Sequence, residues 1–151
     1  MTARDNTMFG LGQPEFRRLI ADTPADDPPG AIAATAAALA IAASLAEKCA
    51  PAEARERIGA IGDAGLELAI ADAGAYRAWR DGDEDSPAVT LFPERLGALA
   101  EDLIRTIDTL PPHPVIGDTD LHAARAIAAG ARAASLAVAV GNQGARSGGG
   151  A

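Results

Sequence analysis

Apolar positions recur at steps of three and four along most of this chain, the spacing of one face of a helix. The clearest case is Leu96, Leu99, Leu103, Ile107 and Leu110, with Asp102, Arg105 and Asp108 largely outside the stripe. Pro93 and Glu94 open that helix and Pro111-Pro112 end it. A second stripe, Ile58, Ile61, Gly65, Leu68, Asp72, Ala75 and Trp79, predicts a helix from Pro51 to about Trp79. Its glycines each cost about 1 kcal/mol against alanine, so a break near Gly62 is compatible with the pattern. Gly30 to Cys49 predicts an alanine-rich helix. The last helix is predicted from Asp118, an acceptable N-cap, to about Val140, with Gly141-Asn142 as the C-terminal stop. Pro14 opens a short first helix with Phe16, Leu19 and Ile20 on its apolar face. The segments Thr23 to Pro29 and Asp81 to Pro87 are turn-forming and acidic.

The expected fold class is therefore all-α: a bundle of about five helices in one domain, residues 14–142, with flexible tails at 1–13 and 143–151. Composition sharpens this. Of 151 residues 48% are hydrophobic, yet only three Phe, one Tyr and one Trp are present. Such a chain builds its core by bringing helix backbones close together, and a thin core of this kind favours a homodimer. The net charge of −8 and the lack of a basic stripe argue against a nucleic-acid partner. The uncharged run from Ala31 to Ala46 falls short of the about 20 residues that span a bilayer. With no secretory signal visible, the expectation is a cytoplasmic protein with no membrane partner. Cys49 is the single cysteine, which excludes an internal disulfide and a CxxC zinc site. His113 and His122 lack metal-ligand spacing to acidic partners, so no metal is expected. Ser44 and Ser135 sit in alanine-rich helices and read as packing residues.

Two carboxylates stand out. Asp72 lies inside an apolar stripe, where a carboxylate needs partners or takes up a proton. It is either a general acid/base at a cleft or a satisfied structural acid. Asp120 lies in the first turn of the last helix, on the face of Ala124, Ile127, Ala131 and Ala134. It stands at the mouth of the bundle, either as a catalytic group or as a complement to the helix dipole.

Three stretches carry a resemblance. Phe16-Arg-Arg-Leu-Ile-Ala-Asp-Thr-Pro24, followed by a Pro/Gly loop and an alanine-rich helix, resembles an opening of the form F-x-x-x-L-A-x-x-T-P-x-P-G-G-G-S-x-A-A. Leu68-Ala-Ile-Ala-Asp-Ala-Gly-Ala-Tyr76 resembles L-x-x-x-D-x-x-A-[FY]. His113-Pro-Val-Ile-Gly-Asp-Thr-Asp-Leu-His-Ala-Ala124 resembles N-P-N-A-I-S-D-L-x-x-A-A, and Gly141-Asn142 closes the helix that follows. All three patterns are those of the cyclodeaminase/cyclohydrolase family of folate enzymes, which this chain thus resembles. The resemblance implies a helical homodimer that uses a tetrahydrofolate derivative as substrate, as a methenyltetrahydrofolate cyclohydrolase or a formimidoyltetrahydrofolate cyclodeaminase. It implies Asp72 and Asp120 as catalytic acids, and Pro28, Gly30 and Tyr76 as folate-binding positions. One departure is plain. Where the family has P-G-G-G-S, this chain has Pro28-Pro-Gly-Ala-Ile32 behind Asp26-Asp27. Pro29 has no N–H to offer an anion, and the added acids repel the folate tail. Weak folate binding is therefore expected, with a second role open: a catalytically degenerate relative that serves as a small-molecule-binding or protein-partner module.

Overall fold

The structure is a computed structural model that describes residues 31–82, 85–115 and 118–148. Four helices make up the described fold: α1 (Ala31–Cys49), α2 (Ala52–Arg80), α3 (Leu91–Asp108) and α4 (Thr119–Gly148). No strand occurs among the described residues, so the all-α expectation holds. The short helix expected from Pro14, the tail expected before it and positions Pro28 to Gly30 lie outside the described residues.

Pairings along the helices give the topology. Gly59 lies beside Glu47, Gly62 beside Ala43 and Gly65 beside Ala36 and Ala40, so α2 runs antiparallel to α1. Arg125 pairs with Asp108 and Arg132 with Glu101, so α4 runs antiparallel to α3. Lys48 at the end of α1 pairs with Asp120 at the start of α4, while Ala31 and Asn142 share a pocket at the other end. The result is an up-down-up-down bundle. Leu39, Ile58, Leu68, Leu96 and Leu103 are its fully buried large residues. Alanines fill much of the rest of the core, among them Ala36, Ala42, Ala124 and Ala128, beside Ile61, Phe92, Ile107 and Leu121.

The close approach of α1 and α2 explains the unbroken glycine-bearing helix. A Cβ at Gly62 would stand 3.2 Å from the Ala43 Cβ, and one at Gly65 would stand 3.1 Å from the Ala36 carbonyl oxygen. Glycine costs helix propensity at these positions, and the contact it permits offsets that cost. No break occurs at Gly62. α2 runs on to Arg80 and is closed by Gly82, whose φ of 105° is left-handed and whose N–H bonds back to the Trp79 carbonyl.

Two boundaries differ from expectation. α3 starts at Leu91, so Pro93 lies within the first turn, where no intrahelical N–H is required. α4 does not stop at Gly141-Asn142 but continues to Gly148, so residues 143–148 are helix rather than tail. The Asn142 side chain donates to the Val89 carbonyl at 2.8 Å, a tertiary bond that holds it inside the helix. The start of α4 is as expected: the Asp118 carbonyl accepts from His122 N–H at 2.8 Å. The helices Ala31–Cys49 and Thr119–Gln143 are each long and apolar enough to cross a membrane, which the shorter run read from the sequence did not suggest. Most of the first is buried inside the bundle and most of the second is not.

Candidate functional site

Asp72 occupies the core-facing stripe of α2 and is 2% exposed. Its Oδ2 accepts a hydrogen bond from the Ala33 N–H at 3.1 Å. Ala33 lies in the first turn of α1, where amides have no partner within their own helix. A carboxylate on one helix thus caps the next. Burial pushes the Asp72 carboxyl above its ordinary range, and the Ala33 bond opposes that rise. The structural role weighed for Asp72 is therefore real, but it occupies only Oδ2.

Beside the carboxylate lies a pocket of about 190 Å³. One wall is aromatic: Tyr76, four residues after Asp72, and Trp79, with ring centroids 5.7 Å apart and planes inclined at 47°. Ile32 of α1 and Val138 of α4 supply aliphatic surface, and Asn142 and Val89 complete the rim. The segment before α3 is held in place by Ser86, which donates to the Ala75 carbonyl at 2.6 Å. Tyr76, expected as a binding residue, lies in the pocket. Trp79 and Asn142 were not picked out as site residues. Trp79 belonged to the same stripe seven residues after Asp72, which was the available signal. Asn142 read only as a helix stop.

Asp120 is elsewhere. Its Oδ2 lies 3.1 Å from Lys48 Nζ, at the far end of α1. Ala33 and Lys48 are 15 residues apart on α1, about 22 Å at the helical rise. One chain therefore does not bring the two acids together. Asp120 sits half-buried at the bundle mouth, as its helix phase implied, but the mouth is the one opposite the pocket. Cys49 is buried nearby, its thiol pushed up by burial and by the Asp120 charge, against the pull of Lys48. Pro28 and Gly30 lie outside the described residues, although the helix that follows them begins at the pocket. No group of three or more His, Cys, Asp or Glu able to hold a metal occurs among the described residues.

The chain matches no protein-family model, no curated protein and no solved structure. The folate resemblance therefore rests on the sequence stretches alone.

Proposed function

We propose that the protein binds a tetrahydrofolate derivative at the Asp72 pocket and acts on it as a cyclohydrolase or cyclodeaminase does. One observation carries this reading. Three parts of the chain singled out by the resemblance meet at one pocket: the start of α1 at Ala31, the Asp72–Tyr76 step and Asn142. Opening or closing a one-carbon bridge needs a positioned proton acceptor, and a buried carboxylate held above its ordinary range is a stronger base than a free one. In this reading the protein is a cytoplasmic homodimer, and Asp120 could reach the pocket only from a second copy.

The ion pair that holds Asp120 far from Asp72 favours the second reading, a degenerate relative that binds a small molecule or a partner without turnover. A titration with 5,10-methenyltetrahydrofolate, followed at its own absorbance band, separates the two. Parent protein should bind weakly. Replacing the 26–32 segment by Pro-Gly-Gly-Gly-Ser should raise affinity at unchanged helical content. Asp72→Asn in that background should lower hydrolysis more than binding if Asp72 acts in the transition state. Binding without turnover in the loop-rewritten protein would select the second reading, and no binding by that protein when well folded would remove both folate roles.

A further inference from the structure

The pocket constrains its ligand by charge as well as by shape. Among the described residues, Asp72 is the only charged one that lines it. Tyr76, on the same helix, is the only other titratable one. α1 contributes only Ala31 and Ile32, α4 only Val138 and Asn142, and the segment before α3 only Ala88 and Val89. Among the described residues, no lysine, arginine or histidine lines the pocket with the carboxylate. Among the described residues, the single hydrogen bond to Asp72 is the Ala33 N–H on Oδ2, so Oδ1 receives none. A side chain 2% exposed thus lines a pocket with half of its accepting capacity unused.

We propose that this pocket is a receptor for a planar amidinium or guanidinium group carried on a small ring. Such a head presents two parallel N–H donors to one carboxylate, the strong bidentate form of a charge-assisted pair. Its charge neutralises a buried anion that no described side chain of the pocket neutralises. Its flat body fits the tilted wall of Tyr76 and Trp79, whose ring faces attract a cation. At about 190 Å³ the cavity is smaller than the roughly 300–1,000 Å³ of drug-sized sites, which limits the buried part to a ring and its head group. A neutral amide of the same shape lacks the charge and one of the two facing donors.

The inference depends on the pocket and not on folate, so failure of the folate titration leaves it standing. Benzamidine and benzamide are the probes, nearly matched in shape and different in charge. Trp79 is the only tryptophan of the chain and lines the pocket, so its emission reports occupancy. At pH 8 benzamidine should give a saturable change with an affinity at least about tenfold above that of benzamide. In Asp72→Asn, whose helical circular dichroism should match the parent's, the preference should vanish. In the parent it should shrink as the pH is lowered and Asp72 takes up its proton. Saturation-transfer NMR on the ring protons of each probe repeats the comparison without relying on Trp79. Equal affinities, a preference that survives in Asp72→Asn, or no saturable binding of benzamidine by either method would each overturn the proposal.

Discussion

At Asp72 two opposing effects act on one side chain. The first-turn amides of α1 favour a negative charge beside them, and removal from water disfavours it. Desolvation is the larger of the two, which leaves the carboxyl raised. The folded protein then holds a proton on Asp72 at pH values where the unfolded chain has released it. Stability from this group is therefore fully present below the ordinary carboxylate pKa and falls as pH rises through the raised one. Asp108 has the opposite sign: its hydrogen bond from Arg125 holds its carboxyl low, so its contribution appears above the ordinary value and is lost in acid. That pair is half exposed on both sides and contributes little. Asp72→Asn keeps an acceptor for Ala33 and removes the titration. The melting temperature of this variant minus that of the parent should thus increase between pH 5 and pH 8. A difference that shrinks with pH would show that the start of α1 outweighs desolvation. Asp72 was legible in the sequence because a charge inside a helical stripe is a local signal. That Asp120 belongs to the opposite end was not, because helix phase gives the direction of a side chain and not which ends of the bundle meet.

At the level of the helix, α2 contains glycines in two different situations. Gly65 faces the backbone of α1, where an added Cβ would stand 3.1 Å from a carbonyl oxygen, and Gly74 has nothing within 4 Å of the same position. A helix of this length gains nothing from glycine where no neighbour approaches. Gly74→Ala should stabilise by about 0.5–1 kcal/mol. Gly65→Leu should destabilise by about 1–3 kcal/mol or more, since the extra carbons have only the backbone and alanines of α1 to displace. Urea unfolding of both variants checks the pair, and loss of stability in both would mean that Gly74 is covered by a neighbour. The same distinction explains which boundaries the sequence revealed. Helix starts near Pro51 and Asp118 came within a residue or two, because prolines and caps act through adjacent backbone. The end of α4 did not, because Asn142 is held by a bond to Val89, 53 residues away in sequence.

Charge is distributed unevenly over the whole bundle. Ion pairs link α3 to its neighbours: Arg57 with Asp102, Arg125 with Asp108, and Arg132 with Glu101. The opposite side, centred on α1, carries no charge from Ala31 to Ala46. Ala34, Ala38, Ile41 and Leu45 are only half-buried there, Leu66 of α2 borders a groove with Ala40 and Ala43, and Ile70 is 75% exposed. Gly130, Ala133 and Ala137 of α4 are exposed as well. A surface this apolar and flat is costly in water, and small residues allow a second backbone to approach closely. The proposed homodimer would cover it with the same surface of another copy, with Glu47 and Asp63 along the groove beside Leu66. Light scattering of the parent at micromolar concentration should then give about twice the chain mass of 15.2 kDa. Ile70→Glu combined with Ala137→Glu places two carboxylates on positions exposed in the single chain, so the bundle should keep its helical content while the mass falls to one chain. A parent that scatters as a single chain would remove the dimer. A double variant that stays dimeric would move the contact to another face. In either case Asp120 of a second copy would lose this route to the Asp72 pocket, and Asp72 would be left as the only acid there.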